Sequence, residues 1–260
     1  MKTYILGLAM AICLGMASCT ESIDIAPNEK GTLTINFNNT LNGEDVVLGT
    51  TKGNNASGES FTVSTLNYFI SNISLTDSKG NEVKFPDNYY LIREADPSSQ
   101  SITLTDIPAG DYISMTYIIG VDSLKNVADV SSRTGVLDPA SYGNDNMYWS
   151  WNMGYIFFKI EGNSEIITND AKQFQFHIGG FGGKDAPTPN NLQTISHNLS
   201  GLPTIRIKNS PKVTIELKVD KIFEGNSLIK LVETPMIHNP STGKLVSANY
   251  VNAFSVSSIQ

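Results

Sequence analysis

Cysteine is nearly missing from this 260-residue chain: there are two, Cys13 and Cys19, both within the first nineteen residues. Beyond them no disulfide framework or thiolate metal site is available, so any metal must be held by histidine, methionine, carboxylate or groups derived from aromatic side chains. Histidine is scarce too, with only His177, His197 and His238. Basic residues are outnumbered, 18 Lys and Arg against 25 Asp and Glu, and a chain short of clustered cations is a poor nucleic-acid binder. G-x-S-x-G, H-E-x-x-H and EF-hand spacings are absent. The glycine run HIGGFGGK (177–184) is not a phosphate loop, since Ile178 and Asp185 replace its first Gly and its Ser/Thr. No nucleophile–base pair or paired carboxylates can be picked out, which argues for binding and against turnover. The lack of a fixed-period repeat excludes a propeller or solenoid.

The N-terminus carries Lys2 and then an apolar run too short to span a bilayer, which reads as an export signal. It ends in MASC (16–19), similar to the lipobox of bacterial lipoproteins, which makes Cys19 the lipidation site. The expected organisation is a signal peptide over 1–18, a polar lipidated tether over 19–30 (CTESIDIAPNEK), and one domain over 31–260 anchored in the cell envelope, at the outer membrane. Loss of the leader removes Lys2 and no acid, leaving 17 basic against 25 acidic residues, a net charge of −8.

From residue 31 on, runs rich in Val, Ile, Thr, Tyr and Phe alternate with Gly, Asn, Asp, Ser and Pro clusters, the texture of strands joined by turns. TLTINF (32–37) puts Leu33, Ile35 and Phe37 on one face. Asn42-Gly43 predicts a tight turn. LNYFISNISLT (66–76) reads as a long strand with Leu66, Tyr68, Ile70 and Asn72 on one face and Phe69, Ser71 and Ile73 on the other. Further strands are predicted at 82–85, 89–92, 102–107, 111–121, 155–160, 173–178, 204–207, 212–219 and 254–259. Residues 122–146 and 179–191 read as long loops, and 244–254 as a short amphipathic helix. The expected fold is all-β: an antiparallel two-sheet sandwich, Greek-key or Ig-like, with long end loops and one short C-terminal helix.

The least ordinary chemistry is MYWSWNMGY (147–155), which holds both tryptophans. Residues two apart on a strand share a face, so Trp149 and Trp151 are expected to project together with Met147 and Met153. Such a cluster serves equally as an aromatic plug for one end of the sandwich. In FQFHIGG (174–180) alternation sets Gln175 and His177 opposite Phe174, Phe176 and Ile178, leaving His177 accessible beside a glycine loop. Imidazole near thioether and aromatic groups suits copper better than the oxygen-seeking Mg²⁺ or Ca²⁺; a histidine in this setting also serves as a hydrogen-bonded structural residue. His197, in SHNLSG, and His238, in MIHNP, read as solvated surface residues, and Glu161 and Asp122 as turn or rim residues.

LNYFISNISL (66–75), IPAGDYISMTYIIGVDS (107–123), LDP (137–139), MYWSWNMGYIFFKIEG (147–162) and FQFHIGG (174–180) resemble, in order and spacing, the MbnP-like copper-binding proteins. The resemblance implies copper bound through histidine and a tryptophan oxidised to kynurenine by a dihaem, MauG-like peroxidase partner, in copper acquisition or storage. It makes Trp149 or Trp151 the candidate for oxidation and His177 a candidate ligand, with Met147 and Met153 as supplementary soft donors. The chain departs from the pattern in having few histidines, with Phe37-Asn38-Asn39-Thr40 where a histidine is expected after the first strand. The rival reading is a metal-free glycan- or protein-binding module that stacks its ligand on Trp149, Trp151, Tyr148 and Tyr155.

Overall fold

A computed structural model describes residues 25–149, 152–206 and 208–260. The leader, Cys19 and Trp151 lie outside the described residues. Among the described residues thirteen strands follow one another: β1 (Lys30–Leu41), β2 (Glu44–Asp45), β3 (Lys52–Asn54), β4 (Ser60–Asp77), β5 (Glu82–Arg93), β6 (Ser101–Pro108), β7 (Tyr112–Ile119), β8 (Ile156–Asn163), β9 (Gln173–Gly179), β10 (Gln193–Asn198), β11 (Lys212–Lys218), β12 (Met236–Ile237) and β13 (Phe254–Ile259). The same residues also form two helices, α1 (Ser123–Asn126) and α2 (Pro240–Tyr250), and several 3-10 segments.

The strands form two sheets. In the smaller, β13, β11, β1 and β2 lie side by side and β6 also pairs with β1. In the larger, the order is β10-β7-β4-β8-β9-β12, with β3 and β5 also paired to β4. The all-β expectation holds, but the sheets are mixed: β1 runs parallel to β11, and β12 parallel to β9. Alternation of apolar and polar residues reports a half-buried strand and not its direction, and neither parallel pair is joined by a hairpin that would have betrayed it.

Between the sheets lies the main core, built from Leu33, Ile35 and Phe37 of β1, Leu66, Tyr68 and Ile70 of β4, Phe158 and Ile160 of β8, Phe174 and Phe176 of β9, and Val213 and Ile215 of β11. The Asn42-Gly43 turn forms as predicted, with φ of 52° and 88°, the left-handed pair that matches strand twist in a two-residue connection. In β4 the expected face assignment breaks at Asn72, whose φ is 50°. Register shifts there against β5 and β7; this bulge returns Ile73 and Leu75 to the core beside Ile70. Where a strand is predicted at 204–207, residues 204–206 make only isolated bridges, Gly110 with Ile205 and Arg206 with Asn209, and residue 207 lies outside the described residues. The C-terminal helix starts earlier than expected, at Pro240, because the Asn239 side chain accepts from Thr242 N and caps it.

The long segment after β7 folds back over the outer face of the larger sheet. A second apolar cluster forms there, in which Leu137, Tyr142, Met147 and Trp149 of that segment cover Phe69, Leu91 and Phe157 of the strands. Each such side chain removed from water contributes roughly 1.5–3 kcal/mol, which is what orders a stretch of low secondary-structure propensity. At the edge of this cover a buried to half-buried polar row runs along β8 and β9.

Candidate metal centre

Register builds that row. Lys159 of β8 stands opposite His177 of β9, and Glu161 opposite Gln175; on the other side of β8, Asn67 of β4 faces Lys159 and Thr65 faces Glu161. The short β12 runs beside β9 with Ile237 against Phe176, so the next residue, His238, comes against His177. The two imidazoles stack, ring centroids 4.4 Å apart and planes 21° apart. Asn191 holds this corner from behind: its buried amide donates to Gly179 O and Pro240 O, both at 2.8 Å, tying the end of β9 to the residues that follow His238.

His177 Nε2 is hydrogen-bonded to Glu161 Oε1 at 2.6 Å. Lys159 Nζ lies 3.5 Å from the same oxygen, with only 8% of its side chain exposed, and donates to Asp145 O at 2.6 Å. Thr65 Oγ1 donates to Glu161 Oε2 at 3.3 Å. The His177 hydrogen bond holds the Glu161 carboxyl below the usual carboxylate range, against the opposing effect of burial and with help from the Lys159 charge. Burial, followed by repulsion from His177, pushes His238 below the ordinary imidazole value, so at neutral pH it is an uncharged ring with a lone pair to give. Its Nε2 is buried and finds no hydrogen-bond partner among the described residues.

Trp149 reaches the same strand. Residues 147–149 and 154–156 pair as a tight ribbon through Trp149 N to Gly154 O and Ile156 N to Met147 O, at 2.8 and 2.9 Å. The indole lies on Gly179: a Cβ there would stand 2.5 Å from Trp149 Cζ3. Gly179 is two residues beyond His177 on β9 and so shares its face. Glycine at this position is a requirement of close approach, and it is what lets the indole sit next to the histidine face.

Of the sequence-predicted site residues, His177 and Trp149 therefore adjoin one face of β9, while Met147 is fully buried in the second apolar cluster and Met153 packs against that cluster. Trp149 is 6% exposed and Tyr155 wholly buried, so neither offers a ring face to a stacking ligand; Tyr148 carries the Arg133 guanidinium 4.6 Å from its centroid. The surface assignments of His197 and His238 require correction. His197 is on β10, 6% exposed, with Nε2 2.9 Å from Tyr117 Oη, and burial pushes it down to about 4. It is a structural core residue. His238 is half-buried at the site, and Glu161 is its hydrogen-bonded centre and not a rim residue. Sequence reasoning also passed over Lys159 and Met236. Met236 is two residues before His238 on the same side of β12 and is 47% exposed; the M-x-H spacing was the available signal.

A copper ion fits this group in two respects: two imidazoles are already in contact, and one has an unsatisfied buried nitrogen. The set is incomplete as it stands, because no group of three His, Cys, Asp or Glu side chains is gathered for a metal among the described residues.

The family model described as MbnP matches residues 30–240 of the chain. Among solved structures, MbnP from Methylosinus trichosporium is similar in fold, with a TM-score of 0.55 at 16% identity, covering 77% of this chain and 80% of that one. No curated protein matches the sequence.

Proposed function

Because the chain belongs to the MbnP family, we propose that it is a copper-binding lipoprotein of the cell envelope, with His177 and His238 as its imidazole donors. The observation that carries this reading is the buried, unpartnered Nε2 of His238 beside His177. Leaving such a nitrogen unsatisfied costs about 1–3 kcal/mol, and a bond to a metal removes that cost. Stacked imidazoles with an exposed thioether two residues before one of them suit copper, whereas Mg²⁺ and Ca²⁺ take oxygen ligands.

Met236 is better placed than Met147 or Met153 to supply the thioether, since it lies on the His238 side of β12 and is open to solvent. Trp149 and Trp151 are the candidates for oxidation to kynurenine by a dihaem, MauG-like peroxidase partner; contact with Gly179 favours Trp149. Lipidated at Cys19 and held at the outer membrane, the protein serves copper acquisition or storage and turns over no substrate.

The test is copper titration of the full chain with Cys13 and Cys19 replaced by serine, so that no thiol competes. Intact mass is read in parallel. Stoichiometric copper that is lost in both His177→Ala and His238→Ala is expected, with a mass gain localised to a tryptophan when the peroxidase is co-expressed. A wild-type chain that takes up no copper, with or without the modification, would overturn the reading.

A further inference from the structure

We propose that Glu161 is the positioning residue of this site: it holds His177 as the Nε2–H tautomer, so that His177 presents Nδ1 to a metal while His238 presents Nε2. The inference rests on the copper reading for its metal half and on geometry alone for its tautomer half.

Glu161 sits among donors. Oε1 receives His177 Nε2 at 2.6 Å and has Lys159 Nζ at 3.5 Å, and Oε2 accepts from Thr65 Oγ1 at 3.3 Å. A carboxylate can only accept, and a separation of 2.6 Å to an imidazole nitrogen requires a proton between the two atoms. With Lys159 and Thr65 supplying hydrogens to Glu161, that proton belongs to His177 Nε2. The neutral ring then has its lone pair on Nδ1, since one nitrogen of a neutral imidazole donates and the other accepts.

The arrangement is self-supporting. Lys159 is anchored in turn to Asp145 O at 2.6 Å, and Arg93 Nε lies 3.2 Å from the Asp145 carboxylate, so the segment that covers the sheet also fixes the lysine that fixes Glu161. A carboxylate that orients a ligating histidine through its second nitrogen sets ring orientation and basicity, and its loss costs metal sites 10–100-fold in affinity as a rule. The stacked rings of His177 and His238 would then offer unlike nitrogens, Nδ1 from one and Nε2 from the other.

The experiment is a long-range ¹H–¹⁵N correlation spectrum of the imidazole nitrogens in the metal-free full chain carrying the two Cys→Ser changes, taken at alkaline pH where the rings are neutral. The proton of His177 is expected on Nε2; a proton on Nδ1 would overturn the proposal without any metal being added. In Glu161→Gln, whose amide can donate as well as accept, a mixture of tautomers is expected together with a 10–100-fold weaker copper affinity, at unchanged circular dichroism. An unmixed Nε2–H tautomer and wild-type affinity in that variant would also refute it. If the variant fails to fold, the wild-type spectrum still decides. If the wild type shows Nε2–H but binds no copper, the copper reading falls and the metal half of this proposal with it, while the tautomer assignment stands.

Discussion

Protonation of His197 is expected to dominate one part of the pH dependence of stability. The ring is 6% exposed, tilted against Tyr117 with centroids 5.4 Å apart, and burial lowers its pKa to about 4 from the ordinary 6.5. In the unfolded chain the same ring takes up a proton below 6.5, while the native protein refuses it until about pH 4. Stability from this group is therefore complete above pH 6.5 and is lost as pH falls toward 4, amounting to about 3 kcal/mol at roughly 1.4 kcal/mol per pH unit. By pH 4.5 about 2.5 kcal/mol should be gone. The assay is urea unfolding of wild type and His197→Gln at pH 7.5 and 4.5. Glutamine keeps an acceptor for the Tyr117 hydroxyl but does not titrate, and contributions from the carboxylates and from His238 are common to both proteins. The stability advantage of wild type over the variant should shrink by about 2.5 kcal/mol between the two pH values. An advantage that is the same at both would show that His197 is not the buried neutral ring described above.

Gly179→Ala places a Cβ 2.5 Å from Trp149 Cζ3 and 2.6 Å from Tyr155 O; urea unfolding should register a loss of about 1–3 kcal/mol from overpacking, with altered tryptophan fluorescence, and a variant as stable as wild type would contradict the close approach. The buried Glu59 carboxylate accepts from Leu231 N at 2.6 Å, Val232 N at 3.1 Å and Asn55 Nδ2 at 2.6 Å, so Glu59→Ala strands these donors. A loss of about 3 kcal/mol is expected, with faster amide exchange at residues 229–233; unchanged exchange there would show that another contact pins the segment.

Most of the strands, the Asn42-Gly43 turn, the second long loop and the outward face of His177 were legible in the sequence, because alternation, turn chemistry and glycine spacing are local properties. The family resemblance was legible for the same reason, in blocks of contiguous residues. Strand direction was not, since half-buried strands carry one pattern in parallel and antiparallel sheets. Nor was the face of Ile73, because a single left-handed residue, Asn72, reverses the parity of all that follows it. His197 looked like part of a polar turn, yet β10 has Ile195 and His197 on its buried face and polar residues on the other. The heart of the site was the least legible. His238 follows a two-residue strand with no periodicity to read, and only its parallel pairing with β9 sets Ile237 against Phe176 and so brings one imidazole onto another. Residue types and local alternation are written along the chain, whereas which distant strand lies alongside is settled by the packing of the whole core.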